Sequence, residues 1–280
     1  MKHTIEPSDI QKFCTALHHW ERSAATIEKY RRTLTAFYAW LPSDKAVEKE
    51  TVMAYKASLA ARYAPAGVNT ALAALNGLFR FLGWEECRVK PLKIQRRVFA
   101  SKEKELSRGE YERLVTAAEK SGKAKLALLL QVMAATGVRV SEVADITLEA
   151  ARAGKTEISL KGKIRTILLP GKLCRKLLKY ANHQKIVSGA LFRTRNDRVM
   201  NRKEIWAQMK TLCLAAEVEP GKVFPHNLRH LFARVFYQAQ KDIAKLADLL
   251  GHSSVETTRI YLLSSGEEHM QALDRLKLVC

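Results

Sequence analysis

Hydrophobic residues recur with a helical spacing through most of the chain. The segment "TIEKYRRTLTAFYAWL" places six of them at helical spacing: Ile27, Tyr30, Leu34, Phe37, Tyr38 and Leu41. The segments "ETVMAYKASLAARY" and "GVNTALAALNGLFRFL" follow the same period. This pattern predicts a bundle of three to four short amphipathic helices in the first hundred residues.

The pattern weakens near residue 90. The segment "ECRVKPLKIQRRVFASKEKELS" contains Pro91, little periodicity and many basic residues, which is typical of an extended linker. Helical spacing returns afterwards, where Ser107 and Glu110 form a predicted capping box. We therefore predict a helical domain over residues 1–95, a basic linker over 96–104 and a second domain over 105–280.

One segment alternates instead. "KTEISLKGKIRTILLP" is rich in β-branched residues and predicts two short antiparallel strands around Lys161-Gly162-Lys163, closed by Pro170. The expected fold class is therefore mainly α, with one small antiparallel β-hairpin in an α+β second domain.

Composition and charge narrow the function. The chain has 280 residues, of which 47% are hydrophobic, so a packed core is expected. The formal net charge is +20, and both parts contribute, with +7 from residues 1–100 and +13 from residues 101–280. Such an excess favours a polyanionic partner, and nucleic acid fits best because each neutralised phosphate releases counterions.

Several other classes are not expected. There is no apolar run long enough for a membrane span, and the first residues lack a secretion signal. The five cysteines are scattered without a Cys-x-x-Cys pair, which predicts reduced thiols, a cytosolic location and no zinc site. The glycine-rich loops typical of nucleotide cofactors are missing as well.

Three motifs carry candidate chemistry. In "ATGVRVSE", a helix that restarts after Gly137 would place Arg139 and Glu142 on one face, although a surface salt bridge is an alternative. In "FPHNLRHLFA", Pro225 predicts a helix start, and His226 and Arg229 share one face.

The third motif, "LADLLGHSSVETTRIY", contains a helix that ends at Gly251, with His252 in the following turn. Ser253 with Glu256 predicts the cap of the next helix, which leads to Tyr261. Taken alone, His252 is equally consistent with a cap or packing role, and Tyr261 with a core position.

The order of these residues is informative. An arginine, a hairpin lysine, His-x-x-Arg, Gly-His and a tyrosine follow each other along the chain, and this ordered set resembles that of the tyrosine recombinases, the integrase family that includes the Xer, lambda-type and Cre enzymes. The resemblance covers nearly the whole chain. It implies a two-domain protein that forms a C-shaped clamp on duplex DNA, with residues 1–95 as the SAM-like core-binding domain.

The resemblance also implies a reaction. Such an enzyme cleaves one DNA strand through a 3′-phosphotyrosyl intermediate, releases a 5′ hydroxyl and exchanges strands through a Holliday junction. It uses no cofactor and no metal. Four protomers assemble on two specific recombination sites, with accessory DNA-bending proteins as possible partners. Integration, excision, resolution and inversion are all compatible with this reaction.

The implied roles fit the chemistry of the residue types. Arg139 and Arg229 would clamp the non-bridging phosphate oxygens, because a guanidinium is always charged and can bind bidentately. Tyr261 would be the nucleophile and His226 its base, since a phenol with a pKa of about 10 is protonated at neutral pH. The remaining roles are assigned by resemblance: Lys161 as general acid, His252 as a phosphate hydrogen-bond partner and Glu142 as support.

Alternatives exist at two positions. The hairpin is short, so Lys163 competes with Lys161 for the role of general acid, and Tyr237 is a second phenol after His-x-x-Arg. Two alternative functions are a type IB topoisomerase, which rejoins the same strand, and a catalytically silent DNA-binding protein of architectural function.

Basic residues outside the motifs are candidate DNA contacts, with a solvated surface as the alternative. They are Lys29, Arg31, Arg32, Lys90, Lys93, Arg96, Arg97 and Lys163. The tail carries a helical stripe of Met270, Leu273, Leu276 and Leu278, which would dock either on its own domain or on a neighbouring subunit. A prokaryotic-type mobile element and a cytoplasmic, nucleoid-associated location follow from the family alone.

Overall fold

The computed structural model describes residues 2–94, 104–160, 163–252, 254–262 and 274. The chain divides into two compact units, Met1–Arg96 and Arg97–Cys280. Within the described ranges, no helix is both long and apolar enough to cross a membrane.

The N-terminal unit is a helical bundle. Its helices are α1 (Pro7–His19), α2 (Ala24–Trp40), α3 (Lys49–Ala60) and α4 (Pro65–Leu82). Two short strands, β1 (His3–Thr4) and β2 (Ala46–Val47), pair antiparallel beside it. Its core contains large, fully buried side chains from three of these helices, such as Phe13, Phe37 and Phe79.

The segment just before the predicted linker packs on this bundle. Val89 is buried, and the Asn76 side chain both donates to its carbonyl and accepts from its amide. Asn69 forms the same pair of bonds with Leu92. The chain therefore stays bound to α4 up to residue 92, and residues 95–103, which make up most of the predicted linker, lie outside the described residues.

The C-terminal unit is mostly helical around one hairpin. Its helices are α5 (Arg108–Lys120), α6 (Ala124–Thr136), α7 (Leu148–Ala153), α8 (Gly171–His183), α9 (Arg202–Lys210), α10 (Pro225–Gln240), α11 (Ile243–Leu250) and α12 (Val255–Arg259). Strands β3 (Lys155–Leu160) and β4 (Lys163–Leu168) pair antiparallel, with Ile158 opposite Arg165. Helix α6 is buried on nearly all sides and lies at the centre of the core.

Local sequence signals explain several element boundaries. Ser107 and Glu110 form the predicted capping box of α5, and α10 begins at Pro225. Helix α11 ends at Gly251, which has a left-handed φ of 62°. The cap of α12 is one residue later than predicted, because the Ser254 hydroxyl accepts the hydrogen bond from the Glu256 amide. Ser253 lies outside the described residues. The predicted fold class, mainly α with a small antiparallel hairpin, is confirmed.

Candidate active site

The site begins at the turn after α6. Gly137 has a φ of 62°, and a Cβ at this position would lie 2.5 Å from Phe232 and 2.9 Å from Leu250. Only glycine fits here, because side chains avoid left-handed backbone and have no room in this contact. The turn directs the Gly137 carbonyl at Arg229, whose Nη1 donates to it at 2.6 Å.

Arg139 and Glu142 form a close pair beyond this turn. The sequence predicts an α-helix here, but the structure has a 3₁₀ turn over Val140–Asp145 that starts after Arg139. Glu142 accepts from the Arg139 amide at 2.8 Å and from its Nη1 at 2.7 Å. Because the Glu142 side chain is only 2% exposed, the alternative of a surface salt bridge is wrong.

A second arginine contacts the same carboxylate. Arg165 Nη1 on β4 lies 3.1 Å from Glu142 Oε2, and its side chain is only 9% exposed. Burial lowers the pKa of Arg165 to about 10, against the opposing effect of Glu142. Arg165 is not among the site residues that the sequence predicts. Alternation along β4 is a misleading signal here, because the apolar Ile164 and Leu168 are exposed while Arg165 faces inward.

Arg229 is the most deeply buried arginine of the site. Its side chain donates to the Gly137 carbonyl, to the Leu250 carbonyl at 2.7 Å and to His252 Nε2 at 2.9 Å. Burial and the nearby positive charge of Arg139 lower its pKa. Backbone carbonyls from α6 and α11 therefore fix the direction of this guanidinium.

His252 is held between Arg229 and a threonine. Its Nδ1 lies 2.8 Å from the hydroxyl of the buried Thr258. Arginine can only donate, so Nε2 accepts from Arg229 and the proton is on Nδ1. Burial, together with the positive charge of Arg229, lowers the pKa of His252 to about 4, which makes the ring neutral at neutral pH.

Tyr261 lies among three histidines. It is part of a 3₁₀ turn, Ile260–Leu262, and is 7% exposed. The centre of its ring lies 5.6 Å from that of His226, 5.5 Å from His252 and 4.3 Å from His230. The structure thus brings the predicted tyrosine next to both predicted histidines.

His226 is the second residue of α10 and lines the open cavity of the site. Partial enclosure by the cavity walls lowers its pKa, and the positive charges of Arg229 and Arg202 lower it further. A neutral imidazole at neutral pH is the form that can accept a proton.

His230 was missed in the sequence. It follows Arg229 directly, and its ring lies 4.7 Å from the ring of His226 as well as next to Tyr261. Its Nδ1 is buried and has no hydrogen-bond partner within the described structure. Burial lowers its pKa to about 4, so this ring is an uncharged neighbour of the phenol.

The alternative tyrosine, Tyr237, lies elsewhere. It follows Arg229 by eight residues on α10, which corresponds to about 12 Å along the helix axis. Its ring packs on the small hydrophobic cluster of Ala233, Leu246, Leu250 and Tyr261, and the Lys241 ammonium lies 5.6 Å from the ring centre. Tyr261, and not Tyr237, lines the cavity with Arg139 and Arg229.

The cavity in front of these residues has a volume of about 880 Å³ and is strongly basic. Helix α9 contributes Arg202, Lys203, Trp206 and Lys210 to its wall. The described residues that line it include no aspartate or glutamate. This arrangement suits a polyanion, and the sequence analysis had not singled out the residues of α9 as candidates.

The structure describes some of the predicted lysines and outer basic residues, and others lie outside the described ranges. Lys161 lies outside the described residues, and Lys163 is the first residue of β4. Lys29, Arg31, Arg32, Lys90 and Lys93 are exposed on the N-terminal unit, where Arg31 and Arg32 share Glu28 as an ion-pair partner. Arg96 and Arg97 also lie outside the described residues.

One group of metal-ligand side chains occurs among the described residues. His3, Glu86 and Cys87 have donor atoms within 4.8 Å of one another, in the N-terminal unit. These atoms already have partners, since His3 bonds to Glu86 at 2.7 Å and the Cys87 thiol donates to the Val47 carbonyl at 3.9 Å. The group therefore gives no reason to place a metal there.

Comparisons with known proteins identify the family of both units. Residues 104–268 match the model of the phage integrase family, and residues 10–86 match its N-terminal SAM-like domain. The chain belongs to the phage integrase family. It is a tyrosine-type site-specific recombinase, as the sequence predicted, and the two alternative functions are not favoured.

Individual relatives cover both units. The chain is 28% identical to tyrosine recombinase XerA of Pyrococcus furiosus, over 99% of this chain and 96% of the relative. It is 29% identical to tyrosine recombinase XerC of Erythrobacter litoralis, over 86% and 83%. A solved lambda integrase tetramer bound to a Holliday junction has the same fold, with a TM-score of 0.73 at 18% identity over 91% of this chain and 76% of that one.

Proposed function

We propose that this recombinase cleaves one strand of a specific DNA site with Tyr261 and passes the broken strand to a partner duplex. The observation that carries the proposal is the convergence of Arg139, Arg229, His226 and His252 around Tyr261 at a basic cavity. None of these residues alone would indicate strand cleavage. Their combination supplies a nucleophile, a base and positive charge for a phosphate.

The proposed cleavage step is an in-line displacement. The Tyr261 hydroxyl oxygen attacks the phosphorus, the bond from phosphorus to the 5′ oxygen breaks, and a 3′-phosphotyrosine forms. His226 accepts the phenol proton, which its lowered pKa permits because the ring is neutral at neutral pH. Rejoining reverses the step, when the 5′ hydroxyl of the partner strand attacks the phosphotyrosine.

Two arginines stabilise the charge that grows on the non-bridging oxygens. Arg229 is fixed by two backbone carbonyls, and Arg139 is fixed by Glu142. A preorganised pair of this kind lowers the barrier because it does not have to reorganise during the reaction. A phosphate oxygen next to His252 Nε2 favours a proton on that nitrogen, so His252 becomes a donor when DNA is bound.

The leaving 5′ oxygen takes a proton from the hairpin. We assign this role to Lys161, which follows the last residue of β3 in the sequence, with Lys163, the first residue of β4, as the alternative. The assignment rests on the family resemblance, not on a contact. Substitution of each lysine, with a substrate whose 5′ bridging oxygen is replaced by sulfur, separates the two.

The N-terminal unit and the outer basic residues complete the proposed DNA interface. Residues 1–95 act as the core-binding domain, residues 96–104 as the linker and residues 105–280 as the catalytic domain of a clamp on duplex DNA. The lambda integrase tetramer on a Holliday junction supports a tetramer here too. A cytoplasmic location on the nucleoid follows from the DNA substrate, and accessory bending proteins remain part of the proposal.

A covalent-trapping assay tests the proposed function. Purified protein is incubated in EDTA with nicked duplexes drawn from DNA that flanks its own gene, beside Tyr261→Phe and Tyr237→Phe variants. We expect a protein–DNA adduct in the wild type and in Tyr237→Phe, and none in Tyr261→Phe. An adduct that is lost only in Tyr237→Phe contradicts the nucleophile. DNA binding without an adduct on every fragment contradicts the proposed reaction.

A further inference from the structure

Arg165 is buried at a junction of three segments. It lies on β4, its Nη1 contacts Glu142, and its side chain runs directly under Gly251. A Cβ on Gly251 would lie 2.3 Å from Arg165 Cδ. The hairpin, the carboxylate that supports Arg139 and the turn that carries His252 therefore meet at one side chain.

The bonding of Arg165 is unusual for a purely structural arginine. Its Nε and Nη2 are buried without a hydrogen-bond partner among the described residues. Its ion-pair partner within the described ranges, Glu142, is shared with Arg139. Leaving two buried guanidinium nitrogens unpaired costs stability, so packing alone is a poor account of a charged residue here.

Glu142 connects Arg165 to the phosphate site. One carboxylate oxygen, Oε1, accepts from Arg139 Nη1 at 2.7 Å, and Oε2 accepts from the Arg139 amide at 2.8 Å and from Arg165 at 3.1 Å. Arg139 in turn donates to the Gly251 carbonyl at 3.3 Å. A shift of Arg165 therefore changes both contacts that orient the Arg139 guanidinium.

We propose that Arg165 is a positioning residue for the reaction, which acts through Glu142 and Gly251 to hold Arg139 against the scissile phosphate. The inference rests on the proposed function and adds a third arginine to it. Arg165 does not touch the DNA in this account. Arg165 affects how well the Arg139 guanidinium stabilises the negative charge on the non-bridging phosphate oxygens.

Single-turnover cleavage at saturating protein tests the proposal in the full chain. We expect Arg165→Met to slow cleavage by about 100-fold, because a misplacement of about 1 Å has this effect on catalysis. DNA affinity should stay within about threefold, since Arg165 makes no DNA contact. Arg165→Lys restores a charge near Glu142 and should recover about tenfold of the loss.

Arg234→Met is the matched control. Arg234 also pairs with a carboxylate, Glu105, and also has a buried Nε without a partner in the described structure, but its carboxylate is not the one that holds Arg139. We expect this variant to cleave within about threefold of wild type. An equal loss in both variants would mean a general effect on folding and would overturn the proposal.

Modified phosphates identify the group through which Arg165 acts. A methylphosphonate at the scissile position removes the charge of one non-bridging oxygen, so it should reduce the defect of Arg165→Met to about tenfold or less. A 5′ bridging sulfur leaves without a general acid, because a thiol has a pKa of about 8.5, and should not reduce the defect. Rescue by sulfur alone would assign Arg165 to the hairpin lysine instead and overturn the proposal.

A crystal structure of Arg165→Met gives a result that does not depend on cleavage. The proposal predicts that the Arg139 guanidinium leaves its place between Glu142 and the Gly251 carbonyl, and an unchanged Arg139 contradicts it. Cleavage by the wild type separates this outcome from a failure of the proposed function. Without a wild-type adduct the proposed function fails, while the crystal structure still decides the role of Arg165.

Discussion

Two arginine–glutamate–arginine groups in this molecule have the same composition and different surroundings. On α2, Glu28 pairs with Arg31 at 2.9 Å and Arg32 at 3.4 Å, with the carboxylate side chain 46% exposed. In the candidate active site, Glu142 pairs with Arg139 and Arg165 while only 2% exposed. The two groups differ in the burial of their carboxylates. The exposed Glu28 group is hydrated, whereas the buried Glu142 carboxylate holds its two arginines in a fixed geometry.

The physical reason lies in the solvent. An exposed ion pair gains little, because water screens the charges and both side chains lose freedom. A buried carboxylate between two guanidiniums is different, since its loss leaves the buried Arg165 without a counter-charge and the partly exposed Arg139 without its support. We call Glu28, Arg31 and Arg32 the outer group, and Glu142, Arg139 and Arg165 the inner group. We therefore expect the outer group to contribute to DNA affinity and the inner group to contribute to stability and catalysis.

The largest expected effect comes from removal of the buried Glu142 carboxylate, with removal of the exposed Glu28 carboxylate as its comparison. Glu142→Ala should lower the free energy of unfolding of the C-terminal unit by about 3–5 kcal/mol, because a buried pair is broken. Glu28→Ala should change that of the N-terminal unit by less than about 1 kcal/mol. Urea denaturation followed by circular dichroism, with one transition fitted for each unit, measures both. Equal effects would show that burial does not separate the two groups.

The turn that supports Arg229 gives the next largest effect. Gly137→Ala places a methyl group against Phe232 and Leu250 in left-handed backbone, and should cost about 3 kcal/mol. Gly154 is a matched control, because its φ is 71° and a Cβ there meets nothing within 4 Å. Gly154→Ala should cost about 1 kcal/mol. A similar cost for both substitutions would argue against tight packing at Gly137.

Acid should lower the stability of the C-terminal unit through its two partly buried histidines, His252 and His230. The pKa values of His252 and His230 are about 4 in the folded protein, below the value of about 6.5 for a free imidazole, so the unfolded chain binds more protons between these values. Their contribution is fully present above pH 6.5 and decreases as the pH falls toward 4. The dependence of unfolding free energy on pH should be shallower in His252→Asn than in wild type, and an identical slope would contradict the neutral state of His252.

The smallest effect is expected at the outer group. Arg31→Met with Arg32→Met should weaken DNA binding several-fold and reduce the slope of log affinity against log salt by about 1 or 2, since at most two phosphate contacts are lost. The single-turnover cleavage rate at saturating protein should not change. Fluorescence anisotropy across a salt series measures the slope, and an unchanged slope would remove these arginines from the DNA interface.

Sequence alone predicted the elements whose signals are local. The period of the apolar residues gave the N-terminal helices, and Pro225, Gly251 and the Ser107–Glu110 box marked true boundaries. The family resemblance named six residues that the structure brings together: Arg139, Glu142, His226, Arg229, His252 and Tyr261.

What the sequence did not predict depends on contacts between distant segments. Arg165 meets Glu142 across 23 residues, and strand alternation favours the wrong face of β4 because Ile164 and Leu168 are the exposed residues. His230 contacts Tyr261 only after α10 and the last 3₁₀ turn have packed together. The 3₁₀ turn after Arg139 is set by the buried Glu142, which helical spacing cannot reveal.

The central claim is that Tyr261 forms the covalent bond to DNA beside the arginine group of the site, which consists of Arg139, Arg165 and Arg229. Mass spectrometry of the trapped adduct tests it most directly, because trypsin places the two candidate tyrosines in different peptides, residues 260–275 and residues 235–241. The account predicts a nucleotide attached through phosphate to Tyr261 in the first peptide, with the second unmodified. A nucleotide on Tyr237, or on a residue outside the arginine group, would contradict it.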